Sequence, residues 1–213
     1  MGEEPVTFDE RHLVNEVIHG NKQALAQLFD FHRPRLRRIV NFRLDRRIYG
    51  RVDADDILQE AYLSAEQRMK RLLTDRPDTF FIWLRQIVNQ TLIDIHRRQL
   101  GAQKRTAKRD VSIYGGWSSE STSASLAFHL LGCLTSPSQA ALRTERAQQI
   151  DAALMGMSDI DREMLALRHF EELTNSEAAQ VLDMTPQAAS MSYVRALSRL
   201  RQVLEAIPGF PMP

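Results

Sequence analysis

A chain of 213 residues can bury one good core or two small ones, and 43% hydrophobic with 26% charged residues is an ordinary globular balance that excludes wholesale disorder. No apolar run approaches the ~20 residues that span a bilayer, and the acidic start MGEEPVTFDE has no apolar signal core behind it, so neither membrane insertion nor export is expected. The formal charge of +1 hides an asymmetry: residues 1–109 carry 21 Lys and Arg against 15 Asp and Glu, net +6, whereas residues 110–213 carry 7 against 12, net −5.

The basic end is the one expected to meet a nucleic-acid backbone. Cys133 is the sole cysteine, which rules out an internal disulfide and a multi-cysteine zinc site. His12, His19, His32, His96, His129 and His169 never fall at ligand spacing on one helix face. No metal and no cofactor is expected.

Apolar residues recur at helical spacing almost throughout, and no alternating run bounded by turn residues reads as a strand, so the chain is predicted to be all-α. A first helix is signalled near Asn21, with Leu25, Leu28 and Phe29 on one face; Pro34 is expected to kink or restart it before Leu36, Ile39 and Val40. A second begins at the carboxylates of Asp53 to Asp56, which suit orphan N-terminal amides, and runs through Ile57, Leu58, Ala61 and Tyr62 towards Met69. After a loop marked by Pro77, a third opens near Asp78 or Thr79. It carries a wide apolar stripe of Phe81, Trp83, Leu84, Ile87, Val88, Leu92 and Ile95, then Arg97 and Arg98.

From Asp110 the composition turns to Ser, Gly and Thr, so residues 110–137 are read as a flexible linker, although Leu126, Phe128, Leu130, Leu131 and Leu134 allow a short helix within it. Ser136-Pro137 is a helix start. The expected organisation is a tail at 1–19, a helical domain at 20–109, the linker, a second helical domain at 138–207 and a tail at 208–213. In the second domain, one helix is predicted at 141–157 and another from the cap Ser158 to Phe170, with Met164, Leu165 and Leu167 inward. Residues 174–182 then read as a short helix, Asp183-Met184 as a tight turn, and Thr185-Pro186 as the cap of a longer helix reaching Leu204.

That last arrangement is a helix-turn-helix. Ala178 and Ala179 give the small surface that allows close crossing, and the second helix must present its first turns to the major groove. Ala189, Val194, Leu197 and Leu200 are expected inward. Gln187, Ala188, Ser190, Met191 and Arg195 are left as groove or backbone candidates, with Thr185 at the helix start and Arg199 beyond.

The segment LTNSEAAQVLDMTPQAASMSYVRALSRLR, residues 173–201, resembles region 4 of the sigma-70 family in its Leu173-Thr174, Glu177-Ala178-Ala179 and Arg195-Ala196 with Leu200. Asp183 stands where the family has a turn glycine, and aspartate tolerates the left-handed conformation. The family often has Arg or Lys in its reading helix where this chain has Ser190, Met191 and Ser192. Readout by bidentate arginine is therefore not expected. Gln187 is left to read adenine, Ala188 to touch a thymine methyl, and Arg195 and Arg199 to hold phosphates.

An independent match lies in the N-terminal half. DADDILQE, residues 53–60, resembles the region 2.2 signature, whose polar face docks on the clamp helices of the polymerase largest subunit. The resemblance implies core-polymerase contacts at Asp53, Asp56, Gln59 and Glu60, with Asp55 capping the helix. FFIWLRQIVNQTLIDIHRR, residues 80–98, resembles regions 2.3 and 2.4. It implies that the loop at 72–79 holds a flipped base of the −10 element and that Arg85, Gln90, Asp94, Arg97, Arg98, Lys104 and Arg105 line the strand. Gln90 replaces the usual asparagine. Trp83 and Phe81 are assigned to the core, and Phe80 is left open between core and base stacking.

Four carboxylates in eight residues also raise a Mg²⁺ nuclease, but no second acidic cluster or base accompanies them, and Asp56 with Glu60 is an ordinary i, i+4 pair. The sequence is thus expected to be a non-enzymatic alternative sigma factor of the compact extracytoplasmic-function group. Core RNA polymerase (clamp helices and flap) and promoter DNA are the implied partners, an anti-sigma factor is a further candidate partner, and a bacterial cytoplasm is the implied compartment. Two alternatives are a helix-turn-helix regulator that is not a polymerase subunit and a degenerate sigma-like interaction protein. The regulator has no need of the two N-terminal motifs, whereas the interaction protein is suggested by the uncharged Ser190-Met191-Ser192 face.

Overall fold

Helix starts in this chain are set by short polar side chains. Asp9, Asn21, Asp53, Ser158, Thr174 and Thr185 each occupy an N-cap and accept a hydrogen bond from an amide of the first turn, a contact worth about 1 kcal/mol apiece. Asp53 and Thr174 form full capping boxes with Asp56 and Glu177.

The computed structural model describes residues 9–48, 50–69, 80–100, 119–132 and 140–207. Among these are nine α-helices and no strand: α1 (Glu10–Ile18), α2 (Lys22–Arg43), α3 (Ala54–Arg68), α4 (Phe80–Leu100), α5 (Ser119–Gly132), α6 (Ala140–Leu154), α7 (Asp159–Leu165), α8 (Asn175–Val181) and α9 (Pro186–Glu205). The chain is all-α, as its periodicity predicts. No helix among the described residues is long and apolar enough to cross a membrane, and no group of His, Cys, Asp and Glu there is placed to hold a metal ion.

Pro34 does not restart α2, which runs unbroken from Lys22 to Arg43. Tertiary packing overrides the local penalty: Leu25, Leu28 and Phe29 before the proline and Leu36, Ile39 and Val40 after it all lie in one core. The helices α1 to α4 pack as a bundle, with α2 against α1, α3 and α4, and α3 against α4. Trp83 and Phe81 are core residues, and Phe80 joins them, its ring 5.3 Å from that of Trp83. Burial of each such ring or aliphatic chain contributes about 1.5–3 kcal/mol.

The segment read as a linker contains α5, which packs against α2, α6 and α7; residues 101–118 and 133–139 on either side lie outside the described ones. Its Leu126, Ala127 and Leu131 join Ile150, Leu154, Leu165 and Ala196 in a second core. Phe42, at the end of α2, inserts into that core, its ring stacked 4.9 Å from Phe170. After α7 the helix loosens into a π turn, Ala166–Phe170, which hands over to α8 and α9.

Candidate promoter and polymerase interfaces

The C-terminal helix pair has the geometry of a helix-turn-helix. Thr174 starts α8, its hydroxyl accepting from the Glu177 amide at 3.2 Å while the Glu177 carboxylate accepts from the Thr174 amide at 2.8 Å. Asp183 takes the turn at φ 51, so the aspartate does adopt the left-handed form that the family's glycine supplies. Thr185 caps α9, accepting from the Ala188 amide at 3.2 Å, and Asn175 ties the two helices by donating to the Pro186 carbonyl at 2.7 Å.

The buried face of α9 differs from the predicted one. Ala189, Ser192 and Ala196 are inward, Leu204 is nearly so, and Leu200 is half-buried, whereas Val194 is 67% exposed and Leu197 40%. From Ala189, positions three, seven, eleven and fifteen residues on keep to one side of a 3.6-residue helix. Val194, five on, rotates away, and its hydrophobicity does not outweigh that spacing. The outward face carries Gln187, Ala188, Ser190 and Met191, all exposed, with Val194 beside them.

Arg195 and Arg199 are held from behind. Asp161 of α7, 1% exposed, accepts from Arg199 and lies 3.7 Å from Arg195. Both side chains stay partly in solvent, at 59% and 48%, so a carboxylate that the sequence does not single out orients the two cations assigned to phosphates.

On the N-terminal bundle, Asp53, Asp56, Gln59 and Glu60 are all exposed on α3. Asp53 and Asp56 also serve the helix start, through contacts of 3.3 Å and 3.4 Å to the amides of Asp55 and Asp53. Asp55 reaches Arg37 in a two-oxygen contact at 3.0 Å. Glu60 pairs with Arg98 across α3 and α4 at 2.5 Å, so the face assigned to the polymerase and the face assigned to DNA touch. Arg97 and Arg98 are exposed at the end of α4, and Gln90 donates to Asp94 at 3.1 Å. His96, on the same helix, accepts from the Asp45 amide at 3.2 Å; burial lowers its pKa, which keeps the accepting nitrogen free of a proton. Lys104, Arg105 and the loop at 72–79 lie outside the described residues.

Arg85 is not on that basic surface. It is 2% exposed and donates to Glu171 from Nε at 2.7 Å. Arg43, 1% exposed, donates to Glu171 at 2.6 Å and to Glu163 at 2.6 Å and 3.0 Å, and reaches the Thr122 hydroxyl of α5 at 3.1 Å. Two further arginines of α2 cross in the same sense: Arg35 grips both oxygens of Glu177, and Arg38 meets Glu172. Burial would raise the Glu171 carboxyl, but the two guanidiniums outweigh it and hold it at about 2. Burial likewise opposes charge on Arg43, and Glu163 with Glu171 raises its pKa above the usual arginine value. The opposite charges of the two halves are therefore partly spent on one another.

A helix-turn-helix with an uncharged outward face, joined to a bundle that presents an acid-headed helix beside an arginine-tipped one, is the arrangement expected of a promoter-recognition protein of the sigma class. The family model described as "ECF sigma factor" matches residues 9–205. The chain therefore belongs to the extracytoplasmic-function sigma factors and directs RNA polymerase to promoters. It is similar to SigD of Mycobacterium tuberculosis, an ECF RNA polymerase sigma factor, at 25% identity over 91% of this chain and 83% of that one. Its similarity to the ECF RNA polymerase sigma factor ShbA of Streptomyces griseus is 28% over 91% and 94%. Its fold is similar to CnrH, solved in complex with the cytosolic domain of CnrY, with a TM-score of 0.50 at 22% identity over 93% of this chain and 99% of that one.

Proposed function

We propose that this sigma factor divides its work between three surfaces. The exposed face of α3, with Gln59 and Glu60 at its centre and Asp53 and Asp56 at its head, docks on the clamp helices of core polymerase. The end of α4, with Arg97 and Arg98 leading into Lys104 and Arg105, tracks the melted −10 strand, while Gln90 and Asp94 line its approach. The first turns of α9 read the −35 element, Gln187 by hydrogen bonds, and Ala188 and Met191 by contact with thymine methyls. Thr185, Ser190, Arg195 and Arg199 face its backbone, and the same half of the chain meets the polymerase flap.

The observation that carries this reading is the pairing, in one chain, of a fully capped helix-turn-helix with the exposed polar face of α3. No covalent chemistry is required of any residue. An anti-sigma protein is a further partner we propose, in keeping with the polypeptide bound to CnrH. The test is promoter capture by core polymerase from a library of fragments, with and without the chain. The chain should enrich fragments sharing two spaced elements; a chain that neither joins core polymerase nor changes the captured set would refute the assignment.

A further inference from the structure

We propose that Asp161 is a positioning residue for promoter choice: by holding Arg195 and Arg199 in fixed directions, it lowers the affinity of α9 for DNA in general and raises its preference for one sequence. The inference deepens the −35 reading proposed above and rests on it.

The three side chains form one cluster across two helices. Helix α7 packs on α9, and the Ser158 hydroxyl accepts from the Asp161 amide at 3.2 Å, which seats Asp161 in the first turn of α7. Its carboxylate is buried, yet both of its cations stand half in solvent. Oδ2 accepts from Nη1 of Arg199, and Oδ1 lies 3.7 Å from Nε of Arg195. A second buried group anchors Arg195 from its own helix, the Ser192 hydroxyl, which accepts from Nη2 at 3.4 Å. These contacts use only part of each guanidinium. The other N–H groups stay available to phosphate oxygens, which accept charge-assisted bonds in defined geometry. Both arginines border one shallow groove along α9 with Ser190, Met191 and Val194, so they flank the candidate reading residues.

Charge and aim pull in opposite directions here. Two arginines and one carboxylate sum to +1, where the arginines alone would give +2. The carboxylate therefore weakens the sequence-independent attraction to the duplex, which grows with the number of phosphates neutralised. In exchange it supplies order. Immobilising a long side chain on binding costs a factor of about two to ten, and Asp161 makes that ordering part of folding for two of them. The gain falls to the complex in which phosphates sit at set places relative to the bases, because phosphate contacts fix the register of a reading helix. Gln187, Ala188 and Met191 carry no charge, so discrimination by this face leans on that register. Loose electrostatic binding at arbitrary register needs no such aim.

The experiment uses holoenzyme, the full chain on core polymerase. Fluorescence anisotropy gives its affinity for a captured promoter fragment and for the same fragment with the upstream element scrambled. Asp161→Asn should bind the scrambled fragment about two to five times more tightly, the worth of one exposed charge pair, with a salt slope steeper by about 0.9. Its preference for the intact element should fall about tenfold. In a background of Arg195→Gln with Arg199→Gln, the same substitution should leave the preference where it is, which a merely structural role would not do. Loss of affinity for both fragments in a folded variant, or an equal gain for both, would overturn the proposal. Where Asp161→Asn does not fold, the wild type decides: ¹⁵N relaxation of the side-chain Nε–H groups should give order parameters above ~0.6 for Arg195 and Arg199 without DNA, and mobile groups would overturn it. Wild-type holoenzyme indifferent to the scrambling would instead defeat the −35 reading, and the proposal with it.

Discussion

Acid should weaken this fold through Glu171 more than through any other carboxylate among the described residues. Glu171 is fully buried between Arg43 and Arg85, and its carboxyl sits at about 2 against an ordinary 4.5, a difference worth about 3 kcal/mol of stability. Because the folded value is the lower one, the unfolded chain takes up the proton first. The contribution is complete above the ordinary value, is lost as pH falls towards the folded one, and about 2 kcal/mol of it is gone by ~pH 3. Urea unfolding followed by circular dichroism at ~pH 6 and ~pH 3, in the wild type and in Glu171→Gln, isolates this term from the other carboxylates. The glutamine variant should be less stable by about 3 kcal/mol at the higher pH and should lose about 2 kcal/mol less than the wild type on acidification. Equal losses in the two proteins would refute the reasoning.

Three further outcomes are expected. Arg97→Ala with Arg98→Ala should abolish open complexes while leaving core association intact; loss of core association would reassign the end of α4. Gln59→Ala with Glu60→Ala should weaken binding to core polymerase, read by fluorescence anisotropy, and unchanged affinity would count against α3 as the docking face. This pair avoids Asp53 and Asp56, whose loss would also fray the helix start. Thr185→Ala should cost about 1 kcal/mol and weaken promoter binding, whereas Thr185→Ser should restore both, and a serine variant as weak as alanine would remove the cap from the account.

What could be read from sequence was local. A cap, the residue three positions on, a turn aspartate and a proline at the first helical position lie within a few residues of one another. Hence Asp53, Ser158, Thr174, Asp183 and Thr185 stand where their spacing put them. What escaped is non-local or depends on fine rotation. Glu171 is 86 residues from Arg85 and 128 from Arg43, and nothing near it in sequence marks it as buried. Pro34 reads as a kink or a restart because its neighbours alone cannot show that both sides share one core, and the restart does not occur. The hydrophobicity of Val194 and Leu197 points inward, although the small residues Ala189, Ser192 and Ala196 hold the spacing that packing needs. Asp161, which orients Arg195 and Arg199, had a legible signal in its place one turn after the cap Ser158, but that signal marks a helix start and not a partner for α9.

The most direct test of the account is run-off transcription by core polymerase on a promoter carrying both elements, with the purified chain as the sole added factor. A discrete transcript is expected, whose start follows when both elements are moved together and whose yield falls when either is scrambled. A transcript indifferent to the chain, or to both elements, would contradict it.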